Sequence, residues 1–328
     1  MLHDLLAAAL GAHRAARLTR SLHVPAPLTA PADACSRGVV AFALCALLME
    51  DLLRRVPEGH AYTEHRLLHG HRTVFDHGAL RTVDGPSTGA LPRGYLAVER
   101  VLVPLGYAVD DTYPLPRLHM TGRAFQHRDL PADIPQLFVS ELHLARLSAE
   151  VQAVAARVFG ASVDPLSDAA AALLARLQSD GALPLAEAAR LLPALVGVFD
   201  RHHALPSLAD YQALLAESSE LAWISTEGSA FNHVTDRVDD VQALAASLRG
   251  RLPMKDTVEV SASGRVLQTA TRATEVLRPL FGADGDVVLH RVPGSFYELI
   301  TRLPAPSGGV DLRFDANNAT GIFKMTEA

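Results

Sequence analysis

Leucine and alanine recur every three or four positions over residues 2–20 and 34–56, with a proline-rich break between the two segments. This spacing puts the apolar side chains on one face of a helix, so both segments are predicted to be helical. Pro57 and Gly59 follow the second segment and are expected to end its helix. The pattern therefore predicts an N-terminal unit of helices over residues 1–59.

Short apolar runs replace the helical pattern after residue 60. Runs of alternating apolar and polar residues, rich in β-branched and aromatic side chains, are typical of strands. The predicted strands cover residues 73–84, 107–113, 118–127 and 136–142, and a predicted helix covers residues 93–105. Residues 60–142 are therefore expected to form a first module with the order strand, helix, strand, strand, strand.

Residues 143–222 are rich in alanine and leucine and follow the helical period again. Glycines and prolines divide this stretch into four or five short helices, so we interpret it as a helical insertion. The order of the first module then returns. The predicted strands cover residues 231–238, 257–270 with a turn at Ser263–Gly264, and 296–303, and a helix capped by Asp239 or Asp240 covers residues 239–251. Residues 223–328 are thus a second module with its tail, and the fold class is α+β.

The composition limits the kinds of partner that the protein can have. Of its 328 residues, 49% are hydrophobic, which is ample for a large core. The net charge of −6, with lysine and arginine scattered along the chain, argues against nucleic acid or an anionic membrane as a partner. Two cysteines, Cys35 and Cys45, are too few for a disulfide framework and favour a reducing compartment.

The start of the chain resembles a signal peptide only superficially. Asp4 stands where a signal peptide carries basic residues, so the first twenty residues are better interpreted as an amphipathic helix. The longest apolar run, residues 39–49, is too short to cross a bilayer. We therefore expect a cytoplasmic protein without a membrane partner, and the sequence leaves its oligomeric state open.

The strand at residues 73–84 carries candidate chemistry. His77 and Arg81 lie four positions apart, so both side chains point to the same face of the strand. Asp76 precedes His77, and Gly78 follows it and is expected to let a ligand approach. This face therefore combines a candidate metal ligand with a candidate carboxylate-binding cation.

Two later strands add further candidate ligands, His233 and Glu298. Glu298 lies in an otherwise apolar run, where a buried carboxylate must be paired or metal-bound. Two histidines and one carboxylate from three separate strands are the facial triad that holds non-haem Fe(II) and leaves positions open for substrate and oxygen. The same ligand set also suits Mn, Co, Ni or Zn.

Another group of histidines lies between His60 and His77. His65 and His69 have the i, i+4 spacing of a zinc-binding helix, but Arg66 stands where a metalloprotease has its catalytic glutamate. We therefore expect these histidines to be solvated or locally hydrogen-bonded.

The strings FDHGALRTV, FNHVTDRV and FYELITR, in this order and spacing, resemble the 2-oxoadipate dioxygenase/decarboxylase (hydroxyglutarate synthase) family. The resemblance covers roughly residues 60–328 and places the chain in the vicinal-oxygen-chelate fold group. It implies that the paired modules curl into an open β-barrel with the metal inside. His77 opens the first module and His233 opens the second, 156 residues later (233 − 77).

The resemblance also implies an activity. Fe(II) held by His77, His233 and Glu298 would bind a 2-oxo acid through its carboxylate and keto oxygen, and O2 would be the second substrate. The family reaction converts 2-oxoadipate to 2-hydroxyglutarate and CO2, which belongs to lysine breakdown. Two alternatives stay open: a metal-dependent oxygenase for a different 2-oxo acid, and a non-catalytic small-molecule-binding protein with the same barrel.

Arg81 is the expected catalytic and substrate-binding residue, because a guanidinium pairs bidentately with a carboxylate and keeps its proton. A structural ion pair with a nearby acid, such as Asp76 or Asp84, is the alternative role. Arg302 and Lys324 are weaker candidates for a second substrate carboxylate, since exposed cations are the default for such residues.

Overall fold

A computed structural model describes residues 1–305 and 308–314. Its N-terminal part is helical. The helices are α1 Leu2–Leu10, α2 Ala12–Ser21, α3 Ala26–Thr29, α4 Arg37–Arg55 and α5 Pro57–Leu68, with the two-residue strand β1 Cys35–Ser36 before α4. Ser36 caps α4 by accepting a hydrogen bond from the Val39 N–H, and 14 of the helix's 19 residues are buried. Helix α4 is therefore a core helix.

Proline 57 has a different role from the one predicted. The preceding helix does end at Arg55, but Pro57 then occupies the first turn of α5. Proline suits that position because the N–H it lacks would have no partner inside the helix. The stretch rich in histidine after Pro57 is consequently a helix up to Leu68.

The two predicted modules supply the remaining elements around the insertion. The first contains β2 Phe75–Asp84, α6 Leu96–Leu102, β3 Tyr107–Leu115, β4 Met120–His127 and β5 Gln136–His143. The insertion contains α7 Ala149–Phe159, α8 Asp168–Asp180, β6 Ala182–Leu183, α9 Leu185–Gly197, α10 Leu208–Glu217 and α11 Ser219–Glu227. The second contains β7 His233–Arg237, α12 Val241–Leu248, β8 Glu259–Val260, β9 Val266–Ala270, β10 Glu275–Phe281, β11 Val287–Pro293 and β12 Phe296–Arg302.

Eight of the described strands form one curled sheet, a half-barrel in the order β3-β4-β5-β2-β7-β12-β9-β8. The order is symmetric about its centre, where β2 and β7 pair antiparallel. On each side the central strand pairs in parallel with the last strand of its own module, β2 with β5 and β7 with β12. This arrangement confirms the α+β fold of paired modules.

The sheet separates two bodies of apolar packing. Leu80, Val234 and Leu299 point away from the hollow of the half-barrel and join the large core made with α1, α4 and α9. Val83, on the other face, joins a second core with the insertion helices α7, α10 and α11. The insertion thus closes one end of the hollow face.

The hairpin β10–β11 was not predicted from the sequence. The two strands pair over seven residues and contribute Leu280 and Val292 to the core of the insertion. Helix α11 also crosses the predicted boundary at residue 222, and the division of the chain at residues 59, 142 and 222 stays a prediction.

Two further features of the described residues bear on the sequence analysis. Cys35 and Cys45 are buried and not linked to each other, and burial raises the pKa of the Cys45 thiol to about 12. Within residues 1–305 and 308–314, no helix combines the length and the hydropathy that a bilayer crossing requires.

Candidate metal centre

Three side chains from three adjacent strands meet in the hollow of the half-barrel. His77 on β2 and Glu298 on β12 are both in register with Thr235 on β7, and His233 lies two residues before Thr235 on that strand. Because alternate residues share a face, all four side chains point the same way. The Nε2 atoms of His77 and His233 each lie 3.3 Å from Glu298 Oε2.

The candidate ligand atoms of these residues lie within 4.8 Å of one another, and all three residues are buried. Glu298 Oε1 has no hydrogen-bond partner among the described residues, although a buried carboxylate oxygen normally requires one. Two imidazole nitrogens and one carboxylate are a suitable donor set for a divalent transition metal. The residues therefore fit such an ion.

Neighbouring side chains fix the orientation of two of the candidate ligands. His77 Nδ1 donates a hydrogen bond to Asp76 Oδ1 at 2.8 Å, which directs the lone pair of Nε2 towards the centre of the group. The Thr235 hydroxyl donates to Glu298 Oε2 at 2.6 Å and lies 3.1 Å from His77 Nε2. Asp76 and Thr235 therefore hold His77 and Glu298 in place.

The electrostatics of the group favour a neutral imidazole and an ionised carboxylate. Burial lowers the pKa of His233 to about 3, with a further lowering by the charges of His77 and Arg81. Burial alone would raise the pKa of Glu298, but the hydrogen bond with His77 and the nearby imidazoles bring it below the ordinary value. For His233 and Glu298 these are the protonation states that bind a metal ion. For His77, burial lowers the pKa, but the hydrogen bonds with Asp76 and Glu298 outweigh burial and raise it.

Arg302 lies behind the group, fully buried, and not at the surface as its residue type suggests. Its Nε and Nη2 atoms each donate to the Asp76 carboxylate at 2.9 Å. Its Nη1 atom donates to the backbone carbonyls of Asp311 and Arg313, both at 2.9 Å. Arg302 therefore joins the carboxylate that orients His77 to the segment after residue 308.

That segment covers the group with an aromatic ring. Phe314 lies edge-on to the His77 ring, with 4.9 Å between ring centroids, and 5.1 Å from the Phe138 ring. Phe314 also lines a cavity of about 310 Å³ together with Asp111 and Ser261. The ring thus stands between the candidate ligands and this cavity.

Arg81 is completely buried near the same group. Its Nε atom lies 2.7 Å from Glu220 Oε2, and its guanidinium carbon lies 4.6 Å from the centroid of the Trp223 ring. Burial lowers the pKa of Arg81, whereas the Glu220 carboxylate opposes that shift. The guanidinium is therefore held in an ion pair with an acid that the sequence analysis did not consider.

A family model named 2-oxoadipate dioxygenase/decarboxylase matches residues 44–308 of the chain. The chain belongs to this family. A search of curated proteins finds no match.

Three solved structures are similar to this chain. A glyoxalase superfamily protein from Ralstonia eutropha JMP134 is 49% identical, with a TM-score of 0.92, covering 96% of this chain and 98% of the other. Hydroxyglutarate synthase from Oryza sativa, in complex with 2-oxoadipate, is 20% identical, with a TM-score of 0.68 and coverage of 91% and 97%. The Pseudomonas putida hydroxyglutarate synthase is 17% identical, with a TM-score of 0.64 and coverage of 90% and 75%. The last two show a shared fold.

The fold brings the side chains of His77, His233 and Glu298 together and places Arg81 on the same face of β2 as His77; their roles stay a prediction. Lys324 lies outside the described residues.

Gly78 is not directed towards a ligand. A Cβ atom at this position would lie 2.4 Å from the Phe231 ring, on the face opposite His77. The glycine therefore makes room for Phe231 in the core, which corrects the expectation that it admits a ligand.

The histidines before β2 take no part in the centre. His65 and His69 lie at the exposed end of α5, with ring centroids 4.2 Å apart, and His69 Nδ1 donates to the His65 carbonyl at 2.8 Å. Both side chains are exposed, and the local hydrogen bond is of the kind that was expected for these histidines.

The sequence did not identify three residues that contribute to this site: Thr235, Glu220 and Phe314. Thr235 shares the FNHVTDRV string with His233 two residues away, so the period of the strand could have placed it on the same face. Glu220 carries no local signal, because its partner Arg81 lies 139 residues earlier (220 − 81). Its role depends on the packing of α11 against β2.

Proposed function

We propose that the protein is an Fe(II)-dependent dioxygenase/decarboxylase of a 2-oxo acid, with His77, His233 and Glu298 as the metal ligands. The observation that carries this proposal is the buried triad of two imidazoles and a carboxylate on three adjacent strands, in a chain of the 2-oxoadipate dioxygenase/decarboxylase family. This ligand set is the one used by non-haem Fe(II) oxygenases.

We further propose 2-oxoadipate as the substrate, in the breakdown of lysine. One molecule each of 2-oxoadipate and O2 would give one molecule each of 2-hydroxyglutarate and CO2. The support is the family name together with the fold shared with the Oryza sativa hydroxyglutarate synthase, whose structure contains 2-oxoadipate.

When bound, the iron would supply the redox chemistry with O2 and a Lewis acid for the oxygens of the 2-oxo acid. The protein would supply orientation and shelter. Asp76 would keep Nε2 of His77 unprotonated for the metal, and Thr235 would hold the Glu298 carboxylate. The rings of Phe314 and Phe138 would keep bulk water from the reacting atoms.

Arg81 is our candidate for binding a substrate carboxylate. It lies four residues after His77 on strand β2, so both side chains are on the same face of the sheet. Arg302 is a poorer candidate because Asp76 and two backbone carbonyls already occupy its guanidinium. Arg81 would therefore orient the 2-oxo acid for reaction.

Oxygen uptake tests this proposal. The protein is reconstituted with Fe(II) without oxygen and then mixed with O2 and 2-oxoadipate, 2-oxoglutarate or 4-hydroxyphenylpyruvate. We expect uptake with 2-oxoadipate, matched by equal amounts of CO2 and 2-hydroxyglutarate. His77→Ala should abolish the uptake because it removes a ligand.

His143→Ala is the matched control, because His143 lies on the neighbouring strand β5 and pairs with Asp84 outside the triad. It should keep the activity. Uptake with one of the other two acids alone would reassign the substrate. One iron bound per chain with no uptake for any acid would reject the oxygenase.

A further inference from the structure

Helix α11 of the insertion presents two buried side chains to Arg81. Glu220 and Trp223 lie three positions apart, which places them on one face of the helix. Glu220 Oε2 lies 2.7 Å from Arg81 Nε, at one edge of the guanidinium. The indole ring of Trp223 covers the face of the guanidinium, with 4.6 Å between the Arg81 Cζ atom and the ring centroid. Two independent contacts therefore restrain both the position and the plane of the guanidinium.

The indole is itself fixed. Trp223 Nε1 donates to the Gly294 carbonyl at 3.0 Å, two residues before strand β12, which carries Glu298. The position of the ring that covers Arg81 is therefore tied to the strand that supplies a candidate metal ligand. Through Trp223, helix α11 therefore contacts both the Arg81 guanidinium and the segment that leads into the strand of Glu298.

The ion pair is costly for a structural role. Arg81 is 0% and Glu220 2% exposed, and a buried ion pair is often no more stable than apolar side chains of similar volume. A planar guanidinium has a second edge, formed by Nη1 and Nη2, that is geometrically distinct from the Nε edge that Glu220 contacts. Fixing the first edge determines the direction of the second.

We infer that Glu220 and Trp223 are positioning residues that orient Arg81 towards the carboxylate of the substrate. This inference rests on the proposed function, since it requires a 2-oxo acid at the triad. It gives the helical insertion a role in substrate binding, although the insertion contributes no candidate metal ligand among the described residues. The two residues act through Arg81 and need not touch the substrate.

A second ion pair on the same helix provides a matched control. Glu227 accepts hydrogen bonds from Arg278 Nε at 2.7 Å and Nη2 at 2.8 Å, and it is also buried, with 6% of the residue exposed. Arg278 lies on the hairpin strand β10, outside the half-barrel. Glu227→Gln therefore removes a buried carboxylate from α11 without touching Arg81.

The test measures ligand binding to the Fe(II)-loaded protein by calorimetry in the absence of oxygen. Two ligands are compared: 2-oxoadipate, and acetohydroxamate, a metal chelator without a carboxylate. We expect Glu220→Gln to raise the Kd of 2-oxoadipate about tenfold or more, because the guanidinium is no longer aligned. In Glu220→Gln the Kd values of acetohydroxamate and Fe(II) should stay within about twofold of wild type. In Glu227→Gln the Kd values of 2-oxoadipate, acetohydroxamate and Fe(II) should all stay within that range.

Trp223→Phe is the second variant and should weaken 2-oxoadipate binding about threefold. The variant keeps the Glu220 carboxylate, but its smaller ring covers less of the Arg81 guanidinium. It decides the question if Glu220→Gln does not fold. Two outcomes would overturn the inference and leave the proposed function standing. In one, the variants of Glu220 and Trp223 bind 2-oxoadipate and acetohydroxamate more weakly by the same factor. In the other, they bind 2-oxoadipate as tightly as Glu227→Gln does. If wild type binds acetohydroxamate but no 2-oxo acid, the proposed function fails and the inference fails with it.

Discussion

At the scale of single residues, two buried aspartates have opposite protonation behaviour because their neighbours differ. Burial alone would raise both pKa values. Around Asp76, the charge of Arg302 and the hydrogen bond from His77 outweigh burial and hold the pKa well below its usual range. Asp236 is held by hydrogen bonds from Tyr62 and the Val74 N–H, at 2.7 and 2.8 Å, and burial raises its pKa to about 7.

Asp76→Asn should weaken metal binding. The neutral amide oxygen accepts from His77 Nδ1 more weakly than the carboxylate does and no longer balances the charge of Arg302, and mutation of such a partner typically costs about 10- to 100-fold in metal affinity. Competition with a chromogenic chelator measures this change. Asp84→Asn, at the far end of the same strand, removes an aspartate–histidine contact with His143 outside the triad and should leave the affinity unchanged. Equal affinities for both variants would remove Asp76 from the site.

Asp236→Asn should change how the stability of the metal-free protein depends on pH. The folded pKa of about 7 lies above the unfolded value of about 3.9. The contribution of Asp236 is therefore fully present below about pH 4 and is lost as the pH rises through 7.

Relative to Asp236→Asn, wild type should lose on the order of 1–3 kcal/mol of unfolding free energy between about pH 4 and 7. Urea denaturation of both proteins at several pH values measures this difference. Parallel curves would contradict the raised pKa of Asp236.

The sequence anticipated the residues of the site whose signal is local. Glu298 is a single carboxylate among apolar neighbours, whereas His77 and His233 each have a polar neighbour, Asp76 or Asn232, and are singled out because their strings carry the family resemblance. The pairing of Arg302 with Asp76 joins residues 226 positions apart, and a cation near the end of a strand is exposed by default. Such long-range pairings follow from the register of the sheet, which local patterns do not determine.

At the scale of elements, glycines mark where helices and strands approach closely. Helix α5 packs on strand β12, and a Cβ atom at Gly59 would lie 2.7 Å from the Tyr297 ring. In contrast, a Cβ atom at Gly197 in α9 would meet nothing within 4 Å. The same change from glycine to alanine should therefore have opposite effects at these two positions.

Gly59→Ala should destabilise the protein by about 1–3 kcal/mol, because the added methyl group forces the buried Tyr297 ring to move. Gly197→Ala should stabilise it by up to about 1 kcal/mol, because alanine has the higher helix propensity. Thermal or urea denaturation of the two variants shows whether the unfolding free energy falls in Gly59→Ala and rises in Gly197→Ala. A stabilising Gly59→Ala would mean that α5 does not pack on β12 as described.

Elements with one apolar face were predictable, and the hairpin β10–β11 shows why others were not. Leu280 and Val292 are buried in the core of the insertion, while Leu277 and Leu289 on the other face are 50% and 66% exposed. Apolar residues on both faces remove the alternation that identifies a half-buried strand. Pro279 weakens the strand signal further.

At the scale of the whole molecule, the triad joins the two modules. His77 belongs to the first module, whereas His233 and Glu298 belong to the second, and the pairing of β2 with β7 brings them together. An ion bound by all three residues can bind only the assembled barrel. Metal binding is therefore expected to stabilise the entire fold.

Adding Fe(II) or Zn(II) to the metal-free protein should raise its unfolding free energy. With free metal about a hundredfold above its Kd, the gain is about 2.7 kcal/mol, and a chelator should reverse it. Differential scanning calorimetry measures the shift. His77→Ala should show little of this stabilisation by metal, and His143→Ala should show all of it. Full stabilisation of His77→Ala would mean that the metal binds elsewhere.

The central pairing of β2 with β7 also has a consequence for biosynthesis. Glu298 follows His77 by 221 residues (298 − 77), and a ribosome takes roughly 10 to 45 seconds to add that many. Until then a nascent chain holds at most the two imidazoles of the set, His77 and His233, without the carboxylate that completes it. If the triad holds iron, as we propose, the complete ligand set forms only when translation is nearly finished, and a half-made barrel would not expose a redox-active ion to oxygen.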